Sequence, residues 1–220
     1  MLRPFLTSLV FSVFALGLAL PASASDDISK VNGSIRVDDG KTVGDLDSVN
    51  GSIRLGDHGQ AEGVSTVNGS IEIGNDASIR SAGTVNGRVS IGNRSRVAKG
   101  VDTVNGSLSF DEGSDVGGDV ANVNGSIRLR AAHVGGGIRT VSGDIEVGAD
   151  SHIDGGILVE KSNSWFSFGA SKPPRVVIGP RAVVQGKLVF EREVELHVSD
   201  SARIGEVKGA TPVMFSGENP

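Results

Sequence analysis

The chain has 220 residues and a formal net charge of −5, with 26 acidic and 21 basic side chains and no basic stripe. This balance argues against a nucleic-acid or anionic-membrane partner, because clustered lysine and arginine recognise such partners. Cysteine and tyrosine are absent, and 32 glycines stand beside eight phenylalanines and one tryptophan. With so few large aromatic side chains and no disulfides, the chain is expected to pack small aliphatic residues in many thin layers.

The first 24 residues have the features of an export signal. Arg3 gives a positive start, an apolar run follows, and Ala22-Ser23-Ala24 forms a small-residue cleavage site. We therefore predict a signal peptide over residues 1–24, a mature chain from Ser25, and export to the periplasm or the cell exterior. The apolar run is too short for a spanning helix, so no transmembrane segment is expected after cleavage. An uncleaved anchor is the alternative.

The next segment repeats one short motif with a nearly fixed period of 18 or 19 residues. Such a unit cannot bury its own apolar face, so it must stack on its neighbours as a solenoid. Six copies of Val-Asn-Gly and one of Val-Ser-Gly begin at Val31, Val49, Val67, Val85, Val104, Val123 and Val141.

Aligning the seven copies gives columns of equivalent residues. Columns 5 and 7 are aliphatic or Phe in every copy, whereas column 6 carries Arg, Ser or Glu. This alternation predicts a strand in which columns 1, 3, 5 and 7 face the interior. A second apolar pair lies near columns 12–13 and 16–17, with Gly and Asp at the corners between. The sequence thus predicts an all-β fold, a parallel β-helix (β-solenoid) of about 18 residues per coil, with its handedness left open.

The Asn-Gly-Ser triplet admits three interpretations. Asn-Gly is a hairpin-turn dipeptide and would give an antiparallel meander, and the triplet is also a glycosylation acceptor. The alternation that continues through the dipeptide argues against a hairpin. Arg88 and Ser142 interrupt the acceptor pattern, whereas the glycine never changes. We predict a stacking element, a ladder of side-chain amides along the rod formed by Asn32, Asn50, Asn68, Asn86, Asn105 and Asn124.

The repeat is interrupted after Val159. Residues 160–175 include Pro173-Pro174 and three aromatic residues, and the repeat pattern resumes beyond them. We interpret this segment as a loop inserted at one corner of a single solenoid domain spanning 25–207, with a tail or cap at 208–220. The loop either covers a face or edge of the rod or is a partner site through Trp165, Phe166 and Phe168.

The repeat motifs carry a family resemblance. The repeated Val-Asn-Gly-Ser-Ile and Val-Ser-Gly-Asp-Ile motifs resemble the exported adhesin-type solenoids of bacteria, and "VVIGPRAVVQGKL" resembles the bactofilin, or polymer-forming, β-helices. Hexapeptide-type β-helices are also similar, although the 19-residue coils depart from their register. The resemblance implies a non-enzymatic structural or adhesion-type protein of the bacterial cell envelope, with no active site and no cofactor.

Catalytic and metal-binding motifs are scarce. We predict no catalytic, cofactor-binding or metal-binding residue, because the chain has no calcium nonapeptide, P-loop or nucleophile elbow. The column-6 arginines are interpreted as a solvated face, and the four histidines (His58, His133, His152 and His197) as forming no recurring column. The corner acids are interpreted as solvated turn formers: Asp38, Asp39, Asp57, Asp76, Asp111, Glu112 and Asp150.

Two classes of function follow. In the first, the rod acts through a cell-envelope or glycan surface, or through end-to-end self-association, because parallel coils leave unpaired strand edges at both ends. In the second, it is the scaffold of a carbohydrate-active or hexapeptide-type acyl-transfer enzyme, in which one histidine serves as general base.

Overall fold

The computed structural model describes residues 26–161 and 172–220. The predicted signal peptide and the aromatic side chains of Trp165, Phe166 and Phe168 lie outside these ranges. Within them the chain forms 26 strands and no helix. No helix in the described ranges is long and apolar enough to cross a membrane.

In chain order the strands are β1 Ile28–Asn32, β2 Ile35–Val37, β3 Leu46–Asn50, β4 Ile53–Leu55, β5 Gln60–Asn68, β6 Ile71–Ile73, β7 Ser78–Asn86, β8 Val89–Ile91, β9 Arg96–Val97, β10 Val101–Asn105, β11 Leu108–Phe110, β12 Asp115–Val116, β13 Val120–Asn124, β14 Ser126–Leu129, β15 His133–Val134, β16 Ile138–Thr140, β17 Asp144–Val147, β18 His152–Ile153, β19 Ile157–Val159, β20 Arg175–Ile178, β21 Val183–Val184, β22 Leu188–Phe190, β23 Glu195–Ser199, β24 Arg203–Ile204, β25 Val207–Lys208 and β26 Val213–Phe215.

These strands form a parallel β-solenoid of about ten coils, which confirms the predicted fold class. A ten-stranded sheet, from β2 at one edge to β26 at the other, makes the first face of the rod. A second sheet makes the other two faces. Short strands such as β9 and β12 form the second face, and strands such as β10 and β13 form the third. In β5 and β7 the two segments join into nine continuous residues.

The interior is built from aliphatic ladders. Columns 5 and 7 are buried, as predicted, in each coil from Ile35 and Val37 in β2 to Leu196 and Val198 in β23. Another buried ladder follows the third face, with Leu46 aligned to Val64 and onward to Leu188. Each ladder places side chains of similar polarity over one another at the strand spacing of about 4.8 Å, which excludes water with few aromatic residues.

The prediction that column 1 faces the interior is wrong. In β3, Leu46 and Ser48 are buried, whereas Val49 is only half-buried and Asn50 is exposed. The reason is that the strand ends at Asn50 and a new strand begins at Ile53, so the chain turns a corner at Asn-Gly. A corner interrupts the alternation of inward and outward side chains. The inward-facing residues of the third face therefore lie one position earlier in the sequence than the alternation predicts.

The strands that flank the inserted segment keep the register of the coil, and the tail extends it. The N–H of Arg175 donates to Asp144 Oδ1, 31 residues away, and β17 pairs with β20. The preceding pair, β16 with β19, has no such extra spacing, so the additional residues enter the chain between β19 and β20, at the corner that carries Asn-Gly in earlier coils. The tail segment 208–220 contains β26, which pairs in parallel with β23 and adds a tenth strand to the first face.

Candidate functional site

The corner between the third and first faces carries the asparagine column. Asn50 Nδ2 donates to Asn32 Oδ1 at 3.2 Å, Asn68 to Asn50 at 3.0 Å, Asn86 to Asn68 at 2.9 Å, and Asn105 to Asn86 at 3.1 Å. The structure thus links five of these side chains by hydrogen bonds from coil to coil. Asn124 is aligned with Asn105 through backbone pairing, but its side chain makes no hydrogen bond within the described residues.

The glycine after each asparagine is where successive coils come closest. A Cβ added at Gly69, Gly87 or Gly106 would overlap the carbonyl oxygen of the corner glycine one coil earlier. The atoms that would meet the new Cβ belong to the backbone, so no side-chain movement can relieve the overlap. This close approach explains the glycine in six of the seven copies, and at Gly33, in the first coil, the φ of 110° favours glycine instead.

A column of buried polar side chains lies just inside this corner. Thr66 Oγ1 donates to the carbonyl of Gly51 at 3.0 Å, and Thr84 Oγ1 donates to that of Gly69 at 3.1 Å. The hydroxyls therefore satisfy corner carbonyls one coil below. Sequence reasoning missed this column, although Ser or Thr precedes the repeated Val in most copies.

We expect Asn68→Ala to lower the free energy of unfolding by about 1–2 kcal/mol, because the Asn68 side chain donates one hydrogen bond to Asn50 and accepts one from Asn86. Thermal unfolding followed by circular dichroism measures the change. Asn124→Ala is the matched control, because it removes the same amide from a position whose side chain makes no hydrogen bond within the described residues. Equal losses in the two variants would contradict a stabilising ladder.

The corner after the first face also stacks in columns. Asp57 Oδ1 accepts the backbone N–H of Asn75 at 2.7 Å, and Asn75 Oδ1 accepts that of Asn93 at 3.0 Å. The bond from Asn75 lowers the pKa of Asp57 below its ordinary value. The interpretation of Asp57 as a merely solvated turn former is therefore wrong, since its carboxylate joins two coils.

Acids in the left-handed position of the same corner pair with arginines. Asp76 has a φ of 53° and accepts two hydrogen bonds from Arg94, one coil later. Asp150 and Arg181 form the same two-bond pair across the inserted segment. The guanidinium hydrogen bonds lower the pKa of both carboxyls. These pairs are exposed, so they contribute little to stability.

Four of the column-6 side chains on the first face are also exposed and form ion pairs. Arg54 lies 2.9 Å from Glu72, and Arg128 lies 2.7 Å from Glu146. Both pairs join adjacent coils, and their half-exposed side chains are solvated and screened.

The second face carries four ionisable side chains and one amide that lie close together. His133 Nδ1 lies 2.7 Å from Asp115 Oδ1, and its Nε2 lies 3.2 Å from Asp154 Oδ2. His152 Nε2 lies 3.0 Å from the other oxygen of Asp154 and 2.7 Å from Gln185 Nε2. We call these five residues the histidine cluster. It borders a shallow depression of about 560 Å³.

The interpretation that the histidines form no recurring column is wrong for two of them. His133 and His152 are aligned in β15 and β18, and their ring centres are 5.7 Å apart. Each stands directly before a buried aliphatic residue, Val134 or Ile153. This shared position in the repeat is the sequence signal that could have paired them.

In the histidine cluster, the pKa of the His133 imidazole is raised above its ordinary value. The hydrogen bond to Asp115 is the main cause that raises the pKa of His133, and partial burial opposes it. A pKa raised in the folded state means that the protonated form stabilises the fold. This contribution is complete below the unfolded value of 6.5 and is lost as the pH rises through the folded value.

We therefore expect His133→Gln to lower the melting temperature more at pH 5 than at pH 9. Thermal unfolding across that range measures the difference from the unmodified protein. Arg96, Asp115 and Asp154 also carry charge around this imidazole, and the titratable side chain of His152 lies beside it, so buffers of equal ionic strength are required. The control is His197→Gln on the first face, which removes an imidazole that bonds to no carboxylate in the described chain. A pH-independent loss in His133→Gln would contradict the prediction.

Among the described residues, no group of three or more His, Asp or Glu side chains is arranged to hold a metal ion. The candidate partner site at Trp165, Phe166 and Phe168 lies outside those residues. Next to it, the N–H of Lys161 donates to Glu191 Oε2 at 3.2 Å, and Arg192 donates to the carbonyl of Val141 at 3.0 Å. Glu191 of the following coil thus holds the chain at Lys161, where the insertion begins, whereas Arg192 reaches back to the coil before it.

Comparison of the chain with protein-family models, with curated proteins and with solved structures finds no match in any of the three.

Proposed function

We propose that the protein is a non-enzymatic, exported structural or adhesion-type β-solenoid of the bacterial cell envelope, and that it acts by self-assembly as well as through its surface. The resemblance to adhesin-type and bactofilin-like solenoids supports this proposal, as does the signal peptide that the sequence predicts over residues 1–24. The mature protein is then periplasmic or extracellular.

The observation that carries the proposal is the position of exposed apolar side chains. Large hydrophobic residues of the described chain that are well exposed lie in the first or the last strands: Val31 is 67% exposed, Val213 57% and Met214 58%. Between the two ends, the outward-facing columns of the rod carry charged and polar side chains. Exposed apolar residues beside unpaired strands favour association at the ends.

Expression of the full chain with export, followed by N-terminal sequencing and cell fractionation, tests the location. We expect the mature protein to begin at Ser25 and to leave the cytoplasm. Sedimentation and negative-stain electron microscopy over a range of concentrations test assembly. We expect rods that lengthen with concentration, whereas a monodisperse monomer that binds glycans would leave only the adhesive role.

The pairing of Asp115 with His133 favours a second candidate, a carbohydrate-active or acyl-transfer enzyme. A carboxylate that orients an imidazole is a common arrangement for a general base. In the structure, however, Asp154 lies 3.2 Å from the second ring nitrogen of His133, so a substrate would have to displace it. Hydrolysis or acyl transfer that is lost in His133→Ala and kept in His197→Ala would establish the enzyme.

A further inference from the structure

Both ends of the described rod present strands with an edge that no other described strand pairs with. β2 and β26 are the two outer strands of the first face, and β1 and β25 are the corresponding outer strands of the third face. The outer edge of each has backbone N–H and C=O groups that can extend a parallel ladder.

The edge strands at opposite ends occupy the same columns. Strand pairing runs without a break from Arg36 in β2 through Arg54 and His197 to Val213 in β26. On the third face it runs from Ile28 in β1 to Val207 in β25. If the register is extended by one coil, β26 pairs with β2 of a second copy, and β25 pairs with its β1.

The two ends also supply different parts of a coil. The C-terminal end finishes on the first face with β26, and Ser216 continues in register, with its hydroxyl 2.8 Å from Asp200 in the coil before. The N-terminal end begins on the third face with β1. One copy can therefore provide the beginning of a coil and the next copy its end, so that the backbone spiral passes from one molecule to the other.

The apolar side chains at the ends fit the same arrangement. Met214 aligns with Val198 in an inward column, and in the extended register it would lie over Val37 of the second copy. Ile28 and Val207 are the partly buried ends of a ladder that is otherwise fully buried. Stacking would cover both of them and Met214, and burial of apolar area favours association.

We propose that the occupant of each rod end is a second copy of this chain, bound head to tail, with β26 on β2 and β25 on β1 in the register of the internal coils. This inference rests on the self-assembly in the proposed function and adds its geometry. The contact joins two different surfaces, so it generates an open filament instead of a closed dimer.

Disulfide trapping in the full chain tests the register. The protein has no cysteine, so every cross-link comes from the introduced residues. Arg36→Cys with Val213→Cys places thiols on neighbouring outward positions about 4.8 Å apart, within the Cα separation of about 4.4–6.8 Å that a disulfide spans. On mild oxidation we expect the monomer band to shift into a ladder of dimers, trimers and longer species that reductant reverses.

The matched control is Arg54→Cys with Val213→Cys, which keeps the column but lies one coil too deep, and no ladder is expected. Ser29→Cys with Lys208→Cys tests the third face independently and should cross-link like the first pair. Circular dichroism of each reduced variant verifies folding.

The outcomes separate the two proposals. Sedimentation of the unmodified protein reports assembly alone. If the protein assembles but neither matched cysteine pair gives a ladder, the head-to-tail register is overturned and the proposed assembly remains intact. The same holds if a variant with only one of the two cysteines cross-links to itself. A protein that remains monomeric at all concentrations would overturn both the register and the proposed self-assembly, and would leave only the adhesive role.

Discussion

Replacing Phe110 with alanine is expected to lower the free energy of unfolding by about 3–5 kcal/mol. Phe110 is 1% exposed and is among the largest fully buried side chains of the described chain. It is aligned with Ile91 below and Leu129 above. The parallel ladder holds these coils at their strand spacing, so they cannot collapse into the cavity that alanine leaves.

Urea or thermal unfolding of Phe110→Ala measures this loss. Phe110→Leu is the control, because leucine already occupies the same column at Leu55 and Leu129. We expect it to lose less than about 1.5 kcal/mol. Similar losses in the two variants would indicate that the site tolerates a cavity and that the coil relaxes around it.

Gly106→Ala is expected to destabilise the protein by about 3 kcal/mol, although it adds a single methyl group. The new Cβ would overlap the carbonyl oxygen of Gly87. Both backbones are fixed, since Gly87 N–H donates to Asn105 and Gly106 N–H donates to Asn124. Relief therefore requires two coils to separate and these hydrogen bonds to weaken.

Thermal unfolding of Gly106→Ala, compared with Gly83→Ala, tests this explanation. At Gly83 a Cβ would meet only the carboxylate of Asp102, at 3.2 Å, and that side chain can move. We expect the control to change the free energy of unfolding by less than about 1 kcal/mol. A loss at Gly83 as large as at Gly106 would indicate general intolerance of alanine in the coil.

The sequence pattern was sufficient for the fold class but not for the orientation of every column. Columns 5 and 7 lie within one straight strand, so their alternation predicts burial correctly. Column 1 lies before a corner, and the same alternation fails there: Val49 is half-buried, while Ser48 is buried. Alternation is a property of extended chain, and it carries no information across a turn whose position is unknown.

The histidine cluster shows the same limit. His133 and His152 stand at equivalent places in two coils, so careful alignment of the repeat could have paired them. Their contacts with Asp115 and Asp154 depend on which side chains share the outward surface of the second face. Which side chains lie next to one another on this surface follows from the register of three successive coils, whose spacings are both 18 and 19 residues.

By itself, the sequence determined the coil period, the all-β class and the equivalence of residues between coils, because a repeated sequence places each residue in the same environment in every coil. Only the tertiary structure decided where each coil turns, which polar columns are buried at the corners, and which side chains meet across coils. These features depend on backbone contacts between residues about 18 positions apart, such as the approach of Gly106 to Gly87. No local pattern of polarity encodes such contacts.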